Sequence, residues 1–275
     1  MINVKKISAG EVLLFTFFLI LLILYIFPLY WMFSSSFKTA REITRIPPTW
    51  RPMDLSVEGY IKVWEPIFAR FFLNSIIYAG GSVLVALFTS SLIGFVIIIY
   101  PSKLGTVLSW SAICLIMIPF TILIIPLYLL LVRLHLLNSY LGMIAPRIVY
   151  PFGIFFMQLA VRNIPRDLVD AAKIDGCRPL GIYWRITVPL LKTSIATLAT
   201  LEFVWRWNEL LWPLIVASTE RLFPITVGLA SLVDPYFIEM DQYLAACVMV
   251  VTPIIVMFLF LQRFFVKGIA ITGMK

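Results

Sequence analysis

The chain has 275 residues, of which 61% are hydrophobic and only 13% charged. Its mean hydropathy of +1.00 lies far above that of a soluble globular domain. The formal net charge of +8 does not indicate nucleic acid, because Lys and Arg are scattered through short connections and form no basic stripe with interleaved aromatics. The bias of a membrane protein toward basic residues on its cytoplasmic side accounts for it, and a single all-α bundle in lipid is expected.

After Lys5, Lys6 and Glu11, residues Val12 to Phe33 carry no charge. At about 1.5 Å per residue such a run crosses a hydrocarbon core of about 30 Å. It lacks the short apolar region and small-residue cleavage site of a secretory signal, so it reads as an uncleaved first span. A segment rich in Pro and Trp follows, from Phe37 to Arg70. Further apolar runs lie at Phe71–Tyr100, Leu104–Val132, Tyr140–Val161, Leu190–Ala217 and Tyr243–Phe265. Six spans place both termini on one side. Lys5, Lys6, Lys103, Arg162, Arg166, Lys173, Arg178, Arg185, Lys192, Arg263, Lys267 and Lys275 then face inward. Lys38, Arg41, Arg45, Arg51, Lys62, Arg70, Arg133, Arg206 and Arg221 form the smaller outward set, which makes the termini cytoplasmic. Residues 1–70 are taken as first span and outer loop, and 71–275 as the membrane core.

Between the fourth and fifth spans stands "DLVDAAKIDGCRPLGIYWRITVPL", Asp167 to Leu190. Pro165 suits a first helical position, Asp167 and Asp170 suit a helix N-terminus, and Gly176 suits the residue after a helix end. A short helix over 165–175 is predicted, then a second opened by Pro179 and interrupted by Pro189. On the first, Leu168, Ala171, Ala172 and Asp175 share a face with a small-residue centre, beside which Asp170 and Lys173 are placed to pair. An ordinary solvated loop and a helix that docks into a groove of a soluble partner are both open readings of this segment.

"DAAKIDGCRPLGIYWRITVP" resembles the cytoplasmic signature of ATP-binding-cassette (ABC) importer permeases: Glu-Ala-Ala, two variable residues, Asp-Gly, nine variable residues, then Ile, two more and Pro. Asp170, Ala171, Ala172, Asp175, Gly176, Ile186 and Pro189 stand in that register. Asp170 replaces the usual Glu, keeping the charge on a shorter arm. Thr193 stands where a second Pro is common, a change expected to straighten the start of the fifth span. "PLYLLLVRLHLLNSYLGMIAP", "FVWRWNELLWPLIV" and "QRFFVKGIAITGMK" resemble the carbohydrate-uptake branch of that family, specifically its smaller maltose-permease-type subunit.

The resemblance implies an ABC type I importer permease fold and a sugar or oligosaccharide as cargo. It also implies a heterodimer with a second homologous permease subunit, two ABC ATPase subunits that use ATP and Mg, and an extracytoplasmic sugar-binding protein, all assembled in membrane lipid. Carried over by position, the loop over 162–190 holds the ATPase-docking residues Arg166, Asp170, Ala171, Ala172, Lys173, Asp175, Gly176, Arg178 and Pro189. The tail over 262–275 reaches toward the ATPases through Gln262, Lys267, Gly268, Thr272 and Gly273.

No Gly-x-x-x-x-Gly-Lys-Ser/Thr loop is present to cradle phosphates, so this chain is not expected to be the ATPase, to carry a catalytic residue or to bind a cofactor. Nor do its spans carry the buried acids of proton relays, since Glu202, Arg206, Glu209 and Arg147 lie near expected span ends or loop junctions. Arg147 at a span centre would cost about 2.5 to 3.5 kcal/mol, which argues for an interface or a polar cavity. Asn74, Ser75, Thr89, Ser90, Ser91 and Gln158 are polar positions in apolar runs, and each either satisfies a neighbouring helix or touches cargo. In "VWRWNELLWP", Val204 to Pro213, the residues Trp205, Trp207 and Asn208 form either an aromatic belt or a sugar-contacting face, and Pro213 is placed to break the fifth span. Cys114, Cys177 and Cys247 are too far apart to suggest a disulfide or metal site, and His135 reads as interfacial. A permease of the same architecture for another solute remains an alternative, as does an ion-coupled carrier acting alone.

Overall fold

The computed structural model of the protein describes residues 9–64, 66–233 and 239–272. Its regular structure is helical throughout these segments. In chain order the helices are α1 (Ala9–Ser35), α2 (Ala40–Ile43), α3 (Glu58–Val63), α4 (Pro66–Ile99), α5 (Lys103–Ile116), α6 (Phe120–Arg133), α7 (Tyr140–Ile144), α8 (Pro151–Arg162), α9 (Arg166–Ile174), α10 (Pro179–Ile182), α11 (Val188–Leu190), α12 (Lys192–Trp207), α13 (Leu211–Val216), α14 (Ile225–Ser231) and α15 (Met240–Thr272). Short 3-10 turns cover Ala145–Ile148 and Glu220–Leu222, and a π turn covers Tyr183–Thr187.

Among the described residues three helices are long and apolar enough to cross a membrane unaided: Gly10–Ser35, Ile67–Ile99 and Met240–Leu259. The other three predicted runs are each broken. The third bends by 108° between α5 and α6, the fourth by 44° before α8, and the fifth by 78° between the Pro179–Leu190 segment and α12. If each bent pair counts as one span, the total reaches the six predicted. Proline explains each break. Pro119 is the N-cap of α6 and disfavours helical backbone at Ile118, while Pro151 opens α8 after an extended Tyr150. Pro189 has no N–H, and its ring would strike the Arg185 carbonyl in a regular helix. The chain widens there instead, so that the Val188 amide bonds the Tyr183 carbonyl five residues back. The bend at Leu191 persists with Thr193 in place of the family's second proline, so that replacement does not straighten the entry to α12. Further along, α12 ends at Trp207 and α13 begins at Leu211, with Pro213 in its first turn where a missing N–H is tolerated.

The helices group into two compact units, Met1–Glu65 with Ser231–Val251 and Pro66–Ala230 with Thr252–Lys275. The first therefore includes the start of the last span. In it, α1 is apolar and exposed nearly all round, the character of a helix whose solvent is lipid. Its C-terminal end is clamped by the following loop. The Tyr30 and Ser34 hydroxyls both donate to the Trp50 carbonyl, at 2.8 and 3.0 Å, and Trp50 packs edge-on against Trp31. Within the loop, Glu42 accepts from the Thr49 hydroxyl at 2.6 Å and the Met53 amide at 2.9 Å. Those bonds, with the Thr49 hydroxyl foremost and the Lys38 charge assisting, hold its carboxyl below the ordinary value of 4.5 against the opposing effect of burial. Lys62 on α3 meets Asp241 at 3.0 Å and Glu239 at 3.3 Å, and the Asp241 hydrogen bond foremost raises its pKa.

In the second unit α4 is the central post, with α8 and α12 packed along it. Close approach to α8 needs Gly94, where a Cβ would come within 3.0 Å of the Gln158 nitrogen and the Met157 side chain. One apolar cluster runs from Ala86 and Phe95 through Met157 and Val161 to Val169, Ala172, Ile182 and Tyr183. A second joins Tyr78, Met143 and Trp212, whose indole N–H donates to the Met143 carbonyl at 3.0 Å.

Candidate functional site: a surface helix pair and a buried charge network

The helix-turn-helix expected between the fourth and fifth spans is present as α9 and α10. Pro165 stands at the N-cap, one place before the first helical position predicted for it. Asp175 closes α9, and Gly176 takes φ +75, the left-handed conformation that ends a helix cheaply only in glycine. The Asp170 carboxylate and Lys173 ammonium pair at 2.9 Å. The Lys173 ammonium also lies 5.8 Å from the centre of the Tyr100 ring.

Burial divides α9 into two faces. Val169 and Ala172 turn inward and join the core cluster under α4 and α8. Ala172, read in the sequence as part of the docking surface, is thus a root of the helix, because the three-residue step from Val169 keeps both on the inner side. Arg166, Asp170, Ala171, Lys173, Asp175, Gly176 and Arg178 are exposed. So are Leu168, Leu180 and Trp184, and Ile174 is 87% exposed. Leu168 was already on the face read from the sequence; Leu180, Trp184 and Ile174 were missed as exposed apolar side chains, and Ile174, directly before an Asp-Gly helix end, was the signal. Pro189 lies on the α11 turn, where it shapes the chain, and is exposed. From below, the Tyr183 hydroxyl and the Ser91 hydroxyl of α4 meet at 2.7 Å, linking the loop directly to the central post.

Away from this surface the structure gathers four charges that sequence had assigned separately to span ends. Arg147 is buried and its Nη2 lies 2.9 Å from Glu209 Oε1, with its guanidinium 4.3 Å over the Phe120 ring. Arg206 bonds Glu209 as well, and its Nε lies 3.0 Å from the fully buried Glu202. The Tyr78 hydroxyl donates to the other Glu209 oxygen, and the Thr226 hydroxyl donates to the Glu209 carbonyl at 2.9 Å. The network sets two guanidinium groups against two carboxyl groups and joins α4, α12, the Ala145–Ile148 turn and the α12–α13 break.

The polar candidates for a cargo pathway separate on the same evidence. Asn74 is spent on structure: its amide donates to the Arg221 and Phe223 carbonyls at 3.0 and 2.9 Å and accepts from the Tyr140 hydroxyl at 2.6 Å. Ser75 accepts from the Ile225 amide at 2.7 Å. The two together anchor the 221–225 connection to α4. Thr89 and Ser91 bond back to their own helix, Ser90 is fully buried, and Asn208 caps α12 through the Val204 carbonyl. Trp207 is buried between Phe72 and Phe203. Trp205 is different: it is 47% exposed, with Phe152 and Tyr150 beside it at ring separations of 5.7 and 6.4 Å. Gln158 is buried and accepts from the Ser109 hydroxyl at 2.7 Å. On α15 the backbone is described through Thr272, which covers Gln262, Lys267 and Gly268; their side chains, and Gly273 altogether, lie outside the described residues.

A family model described as "Binding-protein-dependent transport system inner membrane component" matches residues 91–271. The arabinooligosaccharides transport system permease protein AraQ of Bacillus subtilis (strain 168) is 33% identical over 272 residues, which cover 98% of this chain and 97% of that one. The sn-glycerol-3-phosphate transport system permease protein UgpE of Escherichia coli O1:K1 / APEC is 27% identical over 253 residues, 89% of this chain and 90% of the other. Among solved structures, a chain from a bacterial ABC transporter involved in the import of the acidic polysaccharide alginate superposes with a TM-score of 0.84 at 21% identity. That match covers 95% of this chain and 99% of the other, so the fold is shared nearly end to end.

Proposed function

The chain belongs to the family of binding-protein-dependent transport system inner membrane components, and from that premise we propose that it is half of the membrane pathway of an ATP-driven sugar or oligosaccharide importer, coupled to its motor through α9. Its relatives carry arabinooligosaccharides and glycerol phosphate by name. Its partners are a second, homologous permease, two ABC ATPase subunits that bind ATP and Mg, and an extracytoplasmic sugar-binding protein. Both termini and α9 lie on the cytoplasmic side of the cell membrane. The tail from Gln262 onward runs toward the ATPases.

The observation that carries this reading is the two-faced α9. Val169 and Ala172 fix it to the bundle while Leu168, Ala171 and Ile174 remain uncovered beside a close charge pair. A helix rooted in the core but apolar on its free side is built to receive force from a partner's groove. When nucleotide closes the ATPase pair, rigid-body displacement of the docked helix moves α4 through the Ser91–Tyr183 contact and the shared apolar cluster. On the pathway, Trp205 offers an aromatic face to a polyhydroxylated cargo.

The test is a pair of substitutions, Ala171→Trp on the exposed face and Gly176→Pro at the helix end. Proline cannot adopt the φ of +75 found at Gly176. Both variants are expected to insert, Ala171→Trp to melt near the wild-type temperature and Gly176→Pro somewhat below it, and both to lose ATP hydrolysis stimulated by the binding protein. Retention of wild-type coupling in both defeats the assignment.

A further inference from the structure

A groove of about 370 Å³ runs between the end of α4, α5 and α8, apart from both the docking face and the charge network. Its walls mix apolar side chains, Ile98, Trp110 and Phe155 among them, with the hydroxyls of Thr106 and Ser109, and no carboxylate lines it. Its polar groups are ordered by depth. Arg162, exposed at the last turn of α8, makes no ion pair among the described residues. Gln158 lies four residues earlier on the same face, about 6 Å along the axis. Gln158 is 2% exposed, its Oε1 is taken by Ser109, and its Nε2 has no protein partner. A buried amide left unsatisfied is costly, so an acceptor brought to Gln158 would offset that cost. At the mouth Ser102 caps α5 by accepting from the Gly105 amide at 3.0 Å, which leaves its hydroxyl proton free to donate.

We propose that this groove holds one anionic phospholipid of the cytoplasmic leaflet. Its phosphate meets Arg162 and the Ser102 hydroxyl, an ester carbonyl accepts from Gln158 Nε2, and an acyl chain lies along Ile98, Trp110 and Phe155. Cation, amide donor and apolar wall succeed one another in the order in which a phospholipid presents phosphate, ester and chain. A free phosphate would leave the apolar wall and the deep amide unused. The assignment rests on the orientation proposed above, in which the end of the bundle bearing α9 faces the cytoplasm.

The test uses the full chain in lipid nanodiscs, with Trp110 as the reporter. Tryptophan emission is compared in brominated phosphatidylglycerol and brominated phosphatidylcholine at equal mole fraction, and Trp110→Phe supplies the contribution to subtract. The expected result is a preference of about fivefold for the anionic lipid, the factor one basic residue contributes at an anionic surface. Arg162→Gln should reduce it to near unity, Arg162→Lys should retain it, and Gln158→Leu should weaken retention of both lipids, with matched melting temperatures showing that the fold is kept. Equal quenching in the wild type overturns the proposal, as does a preference indifferent to Arg162→Gln. Displacement by millimolar inorganic phosphate assigns the site to free anion instead, and a crosslink from Trp110→Cys to a partner permease shows a protein helix in the lipid's place; either overturns it. Side-specific labelling of Ser102→Cys, in a background lacking the three native cysteines, separates the two levels. Labelling from outside the cell removes the proposed orientation itself, whereas cytoplasmic labelling without lipid preference removes the groove's assignment alone.

Discussion

The Glu209 carboxylate receives two guanidinium groups and a phenol, so its neutralisation leaves Arg147 and Arg206 buried around a group that no longer carries charge. Breaking a buried pair from one side costs about 3 to 5 kcal/mol, far more than an exposed ion pair is worth. Glu209→Gln is therefore expected to lower the melting temperature of the purified protein sharply, and Arg147→Met in the same chain to restore part of the loss. Additive losses in the double variant mean that the two side chains are not coupled. Asn74 makes a contrasting case. Asn74→Leu strips partners from two carbonyls and a hydroxyl, at about 1 to 3 kcal/mol for each buried group left unsatisfied. If Asn74 is an anchor and not a cargo contact, the variant melts early while the uptake KM of the surviving transporter stays at the wild-type value. A raised KM returns Asn74 to the pathway.

At the scale of elements, the boundaries set by local chemistry were legible before the structure. Pro179, Gly176 and the Asp residues of α9 act on their immediate neighbours: α9 appears within a residue of its predicted ends and α10 starts at Pro179 as predicted, but α10 ends at Ile182 and gives way to a π turn ahead of Pro189. What sequence could not supply was which side of α9 faces home. Val169 and Leu168 are equally apolar, and only the presence of α4 and α8 underneath decides between them. The same holds for the polar runs: an amide inside an apolar helix looks alike whether it grips a distant carbonyl or waits for cargo. The loop after α1 is a further element whose order comes from one residue. Glu42 ties Thr49 and Met53 together, and its pKa is depressed in the folded chain. A depressed carboxylate contributes stability that is complete above its ordinary value of 4.5 and is lost as pH falls through the folded value. Proteolysis of the 37–57 loop is expected to be slow at neutral pH and to accelerate on acidification below that value. Glu42→Gln should cleave faster at neutral pH and show a flattened pH response; an unchanged profile removes Glu42 as the clasp.

At the scale of the whole molecule, the charges inside the second unit decide between a machine driven from outside and one driven by its own ion gradient. A proton relay needs an acid free to change protonation as the carrier moves. Glu202 and Glu209 both face arginine, an arrangement that suits a rigid brace joining helices. The sequence reading had scattered these four residues over span ends, because nothing in linear order shows that Arg147 and Glu209, 62 residues apart, meet at 2.9 Å. The expectation that the spans carry no buried acid does not hold, since Glu202 is fully buried on α12, but both acids are paired with arginine, and under the proposed function energy enters from elsewhere, through the exposed face of α9. The full chain reconstituted alone is accordingly expected to accumulate no sugar under an imposed proton or sodium gradient of either polarity. Uptake should appear only when the second permease, the ATPase pair, the binding protein and ATP are all present, and should vanish again with Ala171→Trp. Gradient-driven accumulation by the isolated chain would mean that one of its carboxylates exchanges protons after all, and Glu202, fully buried with a single arginine at 3.0 Å, is the residue in which to look for it.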